Sequence, residues 1–342
     1  MTLIRFLFLL SFLIAAPSMA QILPTDDWGV GLYIDQDLTV PFLNEDRDYT
    51  MGIAAEFFWQ DKNAGLYPLD GYLKRLGKWL GLHDKQDEVV RSFMLGSVTY
   101  TPDDLANPNP IFDDRPYASL LYFSNKRVRA NRTNAVGLEF QLGLLGASVS
   151  GNIQTALHQF WRDTTGDSSP VDPEGWEHQI SQGGEPTLRI RANNSQLLFE
   201  ERGIWDIAGS SGLTLGYQTN INLGIAVRFG KLASPSWTLP FEPVNRGNFL
   251  PSLAGNEWYG WAVYRLRLVG YDALLQGQFR DSNVTFTWDE IEHVLHEGGI
   301  GFTFTYQPLQ FTLAINGKSP ELKFGQDHRN HFWGGMTILY RY

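Results

Sequence analysis

The chain has 342 residues, a formal charge of −10 and no clustered stripe of lysine or arginine, which excludes the phosphate-gripping surface of a nucleic-acid binder. Cysteine is absent, so neither disulfides nor thiol acylation can staple or anchor it. Only 19% of residues are charged while 14% are aromatic and 34 are glycine, a balance sparse for a soluble surface and suited to a transmembrane β-barrel.

Residues 1–20 read as a secretory leader, with Arg5, an apolar run over 6–16 and a small-residue cleavage site ending at Ala20. The expected mature domain is 21–342, undivided by any linker, low-complexity tract or repeat. No later run approaches the roughly 18 apolar residues of a membrane-crossing helix, so a membrane role falls to strands, a surface contact or a lipid anchor. Alternation starts with Val30, Leu32 and Ile34 against Gly31, Tyr33, Asp35 and Asp37, and a second strand is expected over 49–59. Residues 60–90 break the rhythm: Leu69, Leu73, Leu76, Trp79 and Leu80 among Lys74, Arg75 and Lys78 predict an amphipathic helix.

Strands are expected again over 92–101, 117–128 and 134–143. The next stretch, GNIQTALHQFW at 151–161, has Ile153, Ala156, Leu157 and Phe160 at helical spacing, with Gln154 and His158 one turn apart beside that stripe. The second half is nearly all strand: 187–198, 204–217, 220–230, 257–272, 288–305, 308–317 and 331–342. The total is about twelve, an even number that closes an antiparallel barrel without edges. The fold class is therefore all-β, a transmembrane antiparallel barrel with a short helix in an extracellular loop; a soluble sandwich or lipocalin-like barrel is the alternative.

With the N-terminus in the periplasm, the connections after strands one, three and five share the extracellular rim. Each carries a polar cluster: DQD and EDRDYT in the first, TPDD and DDRPY in the second, GNIQTALHQFW in the third. Asp113, Asp114 and Arg115 are expected to fix the second loop by ion pairs, Tyr49 and Tyr117 to pack at the membrane interface, and the histidines other than His158 to be structural or solvated. The long 60–90 connection falls on the periplasmic rim, where such barrels usually have short turns.

DQDLTVPFLNEDRDYTMG, TYTPDD with DDRPYASLLYF, and GLLGASVSGNIQTALH, in that order, resemble the lipid A 3′-O-deacylase (LpxR) family of outer-membrane barrel enzymes. The resemblance implies a twelve-stranded barrel with its active site at the extracellular side near a loop helix. It also implies Ca2+-dependent hydrolysis of an acyloxyacyl ester of lipid A, the substrate and partner in the outer leaflet. On it, His158 is the base, preceded by Gln154 in Gln-x-x-x-His, Thr50 is the threonine of DRDYTMG, and Asp37 the acidic residue. Gln36 stands where the family has asparagine, with Asp35 able to take its place. Asn107 stands roughly where some members carry lysine.

The chemistry is sound on its own terms. A histidine titrates near neutrality and can deprotonate water, and a hard cation held by Asp37, with Thr50 or backbone carbonyls, suits charge developing on an ester oxygen. A broader outer-membrane phospholipase, or a non-catalytic structural or porin-like barrel, are the other readings; the chain is expected to be a monomer.

Overall fold

The computed structural model describes residues 27–36, 47–60, 75, 88–166, 171–239 and 255–341. The expected leader, the greater part of the amphipathic connection, and Asp37 lie outside the described residues. Twelve antiparallel strands close into one barrel. They are β1 (Asp27–Gln36), β2 (Asp48–Gln60), β3 (Glu88–Thr101), β4 (Ala118–Ala130), β5 (Asn134–Leu145), β6 (Glu185–Glu201), β7 (Trp205–Gly216), β8 (Gln218–Lys231), β9 (Glu257–Asp272), β10 (Val294–Tyr306), β11 (Leu309–Lys318) and β12 (His331–Arg341). Each strand pairs with its sequence neighbours, and β12 pairs with β1 to close the ring from Gly29↔Arg341 to Gln36↔Gly334.

The twelve strands expected from alternation are all present. Two starts differ by four residues or more: β3 begins at Glu88 rather than 92, and β10 at Val294 rather than 288, because Ile291 bridges to Leu322 and the Glu292 N–H donates to the Glu321 carbonyl, which turns this segment toward the β11–β12 loop. The helix predicted over 151–161 runs further, as α1 (Val149–Thr165), ending at Gly166 with φ 72°. That left-handed residue costs glycine little and lets its N–H donate to the Arg162 carbonyl at 3.0 Å. A second short helix, α2 (Ala273–Gln276), follows β9.

Side chains alternate as a barrel in lipid requires. Leu223, Ile225, Val227 and Phe229 of β8, and Ile300, Phe302 and Phe304 of β10, are exposed on the outer wall. The inward set is charged and buried. Glu56 accepts from Tyr33 and faces Lys126 at 3.4 Å, Glu139 lies between Arg189 and Arg191, and Glu297 between Arg265 and Arg267. The lumen is thus filled by compensating ion pairs.

Both mouths are closed over it. α2 folds into one, its Ala273 and Leu274 packing with Tyr100, Trp333 and Tyr217. At the other, Trp237 packs on Phe58, Val90 and Val128 and donates its indole N–H to the Asn131 carbonyl at 2.8 Å. The connections after β1, β3 and β5 share one rim with those after β9 and β11, as expected.

Candidate active site between the outer wall and helix α1

Alternation along β3 breaks near the loop-rich rim. Leu95 faces outward and is 59% exposed, yet Ser97, Thr99 and Thr101 on the same face are 5%, 0% and 0% exposed. Their outward neighbours follow suit: Ser119, opposite Thr99 on β4, is buried, as is Thr50 of β2. A small-polar patch on what should be the lipid-facing wall must therefore be covered by protein.

The cover is formed by residues 146–166 and 171–184 of the excursion between β5 and β6. It is tied down by backbone bonds from Gly146 N–H to the Ser119 carbonyl and from Ile180 N–H to the Tyr117 carbonyl, at 2.8 and 2.9 Å. The Ser119 hydroxyl lies 2.8 Å from Gln179 Oε1 and 3.0 Å from the Ala147 carbonyl. The His178 Nε2–H donates to the Pro108 carbonyl at 2.9 Å, while its Nδ1 accepts from the Asn283 amide at 2.7 Å, linking three loops of the rim. α1 itself packs against β3 and β4.

The buried side of the helix carries polar residues. Gly151, Gln154 and His158, spaced at one turn each, are buried, whereas Ile153 and Ala156 are exposed. The polar stripe faces the polar wall, and Ile153 and Ala156 lie on the exposed side together with Asn152, Gln159 and Asp163. Gly151 has a packing reason to be glycine: a Cβ there would lie 2.9 Å from the Trp176 indole, which in turn packs on Tyr117 with ring centroids 4.9 Å apart.

His158 Nδ1 lies 2.8 Å from the Val171 carbonyl, which can only accept, so Nδ1 carries the proton and Nε2 is the basic nitrogen of the neutral ring. Arg162, one turn on, donates from Nη2 to both oxygens of Asp172 at 2.8 Å. The segment that fixes the tautomer is thus itself held to the helix.

A bulge at Tyr49/Met51 decides where Thr50 points. Tyr49 stays on the lumen side, packed on Tyr100 and Trp333 with its hydroxyl donating to Asp35 at 2.9 Å. Thr50 is the extra residue, and its hydroxyl shares a 2.6 Å hydrogen bond with Thr101 on the outer side. Gln36 has the outward parity of Val30, Leu32 and Ile34 and pairs with Met51.

The structure thus brings Thr50 and Gln36 onto the outer wall and sets Gln154 and His158 on the helix that covers the adjoining strands. Asp35 belongs to the lumen side with Tyr49, on the opposite face of the wall from Gln36. Tyr49 and Tyr117 are buried in protein packing rather than at a membrane interface, since each is enclosed by aromatic neighbours.

Inside the mouth lies a second cluster. Arg329, from the β11–β12 loop, binds Asp48 through Nη2 at 2.7 Å and Nε at 3.2 Å, and reaches Asp114 at 3.0 Å. Asp114 accepts from the backbone N–H groups of Asp103 and Arg115, each at 2.8 Å, fixing the second loop as its sequence predicts. Arg115 stacks over Tyr100 at 3.9 Å and pairs with Glu321, which also holds Lys318 at 2.6 Å. His331 Nε2 is 3.1 Å from Asp327 and 3.9 Å from Asp48, and both residues are buried.

Burial raises the carboxyl pKa of both Asp114 and Asp327, against the pull of nearby Arg329. One donor atom each from Asp48, Asp327 and His331 would fit within 4.8 Å, the spacing of a transition-metal site. Arg329, however, already bonds both Asp48 oxygens, and Arg115 and Lys318 add positive charge around Asp327. The arrangement is an ion-pair clamp joining the start of β2 to the β3–β4 and β11–β12 loops. Sequence reading placed His331 among the structural histidines and missed the cluster, because Asp48 and Arg329 stand 281 positions apart and only ring closure brings them together.

The LpxR model, described as outer membrane protein LpxR, matches residues 6–342. No curated protein sequence matches the chain. Among solved structures, LpxR from Salmonella typhimurium superposes with a TM-score of 0.69 at 17% identity, covering 91% of this chain and 99% of that one. The β domain of the Bordetella autotransporter BrkA gives a TM-score of 0.41 at 8% identity, over 92% and 98% of the two chains, a likeness too low to bear on function. With a family match across nearly its whole length and the same closed barrel, this chain belongs to the LpxR family of outer-membrane β-barrel proteins.

Proposed function

We propose that this protein is an outer-membrane lipid A deacylase whose active site lies between the barrel wall and α1 at the extracellular rim. The observation that carries the reading is the buried polar interface on an outward-facing wall, in which His158 is held by its Nδ1–H bond to the Val171 carbonyl in the tautomer whose Nε2 carries the lone pair. His158 deprotonates the water that attacks the ester carbonyl, and returns the proton to the departing alkoxide. Gln154, one turn before His158 on the buried face, positions that water or the ester.

The Gln36 carboxamide and the Thr50 hydroxyl supply oxygen donors of the kind a hard cation takes, and Asp37, next along the chain, adds a carboxylate; Asp35, on the lumen side, does not join them. Bound there, Ca2+ would stabilise negative charge on the ester oxygen. The Thr50–Thr101 bond orients the Thr50 oxygen within this set. The rim assignment rests on loop length: the opposite rim carries the short turns 131–133, 202–204 and 307–308, although it also carries the long connections 61–87 and 232–256. The protein acts as a monomer on lipopolysaccharide of its own leaflet.

The test is mass spectrometry of lipid A after incubation with refolded barrel, with Ca2+ or with chelator. Loss of the 3′-linked acyloxyacyl group with Ca2+ alone, and no loss with His158→Ala, is the expected result. Fatty-acid release from phosphatidylethanolamine with lipid A intact would move the assignment to a phospholipase, and full activity in His158→Ala would sink the mechanism.

A further inference from the structure

A recess of about 430 Å³, within the usual range for small-molecule sites, indents the outer wall over β9–β12 at the loop-rich rim. Its floor is kept low by Gly298 and Gly317, and its walls are the exposed side chains of Tyr264, Ile300, Ile315 and Phe332. At its upper end His296 shares a 2.6 Å hydrogen bond with Tyr264, and its backbone N–H donates to the Ser319 hydroxyl at 3.0 Å. An apolar trough capped by an imidazole and a phenol at the end of the strands has the polarity of a membrane lipid: chain below, polar head above.

The recess and the candidate active site lie on one row of the barrel. Following the registers, Ile300 pairs with Ile315, Ile315 with Gly334, Gly334 with Gln36, Gln36 with Met51, Met51 with Thr99 and Thr99 with Ser119. All of these face outward. Between Ile315 and Gln36 stands only Gly334, whose missing side chain keeps the wall low. Two strand spacings, about 10 Å, separate Ile315 of the recess from Gln36, and four, about 19 Å, separate it from Thr99 of β3, one of the strands that α1 packs against. Such a distance lets one multiply acylated lipid reach both.

We propose that this recess seats a second acyl chain of the same glycolipid whose ester is cut beside His158, with His296 meeting its polar head. The inference rests on the deacylase reading for the identity of the lipid, and it makes the recess a determinant of substrate choice. The lipid commits to this position because the outer wall is already its solvent, and the trough is continuous with that interface.

The test uses His158→Ala protein, which separates binding from hydrolysis, with labelled lipid A in detergent. Adding Gly298→Leu should weaken binding about tenfold; a Cβ at 298 makes an ordinary 3.5 Å contact with the Val263 carbonyl, so the barrel accommodates it. Phe332→Ala removes an exposed wall without touching the lumen, and should weaken binding about threefold or more. Unchanged affinity in both, with heat-modifiable gel mobility showing folded barrels, overturns the proposal.

In the His158-containing protein, Gly298→Leu should raise KM for lipid A about tenfold at constant kcat and leave a single-chain ester unaffected. An equal loss on both esters also overturns it. If wild-type protein cuts neither ester, the deacylase reading fails while the binding comparison still decides the fate of the recess.

Discussion

His158 and Arg162 grip the same pair of consecutive residues. The imidazole Nδ1–H donates to the Val171 carbonyl and Arg162 Nη2 donates to both oxygens of Asp172, all at 2.8 Å. The bond that sets the histidine's tautomer is therefore supported by an ion pair one helical turn away, and the supporting pair is partly solvent-exposed.

Breaking that pair should reduce catalysis without unfolding the barrel. Arg162→Met or Asp172→Asn is expected to lower kcat by about tenfold, short of the roughly 10²- to 10⁴-fold cost of losing the base itself. Because the pair acts through His158, the pH–rate profile should shift or broaden in the variants and recover in Asp172→Glu. A kcat unchanged within twofold would show that Val171 is held by other means.

Thr50 offers a separation of roles. Thr50→Ser keeps the hydroxyl that faces Thr101 and should keep the Ca2+ dependence, whereas Thr50→Val should raise the Ca2+ needed for half-maximal activity by about tenfold. Identical calcium titrations for the two variants would remove Thr50 from the cation set.

Arg329 should matter for stability more than for chemistry. Arg329→Met leaves the buried carboxylates of Asp48 and Asp114 without their shared cation. A fully buried pair broken this way costs about 3–5 kcal/mol; the partial solvent contact of Arg329 brings the expectation to about 2 kcal/mol. Urea titration of the refolded barrel measures it, and a loss below about 0.5 kcal/mol would contradict the clamp.

The raised carboxyl pKa values of Asp114 and Asp327 carry a sign. A group that binds its proton more tightly when folded makes the folded state hold more protons, so stability falls as pH rises through the folded pKa. Acidification from neutrality toward the ordinary aspartate range should thus stabilise this rim, against the opposite trend from ion-paired carboxylates elsewhere. Asp327→Asn should flatten this contribution and raise stability at pH 7. Denaturation midpoints measured from pH 4 to 8 in wild type and Asp327→Asn provide the comparison, and identical slopes would refute the assignment.

A lumen packed with ion pairs and closed at both mouths should conduct little. Planar-bilayer recordings are expected to show no porin-scale steps, and large steady conductance would contradict the filled interior.

Much of this architecture was readable in the chain, because strand alternation is a local property: Val30-Leu32-Ile34 or Leu223-Ile225-Val227 declare their outward face without reference to the rest of the molecule. The helix was equally readable, and the pairing of Gln154 with His158 marked it. Its orientation was not. Ile153 and Ala156 ordinarily predict a buried face, and only the exposed wall and the polar patch of β3 reverse that rule. The mouth clamp was hidden for another reason: Asp48 and His331 open β2 and β12 while Asp114, Asp327 and Arg329 come from two loops, and no short-range pattern in DRDYT or DHRNH encodes their meeting. Asp35, adjacent to Gln36 in sequence, shows the reverse error, since neighbours on a strand occupy opposite sides of the wall.

The outward-turned helix also bears on how a hydrophobic substrate reaches the water needed to cut it. A site open sideways to the leaflet lets the lipid enter by lateral diffusion, with its chains remaining in hydrocarbon. Drawing a chain of about a dozen methylenes into water would cost roughly 10 kcal/mol at about 0.8 kcal/mol per CH₂. On the proposed reading, carrying His158 on a helix outside the barrel, with Ile153 and Ala156 exposed on the same helix, moves the water to the lipid and avoids that barrier.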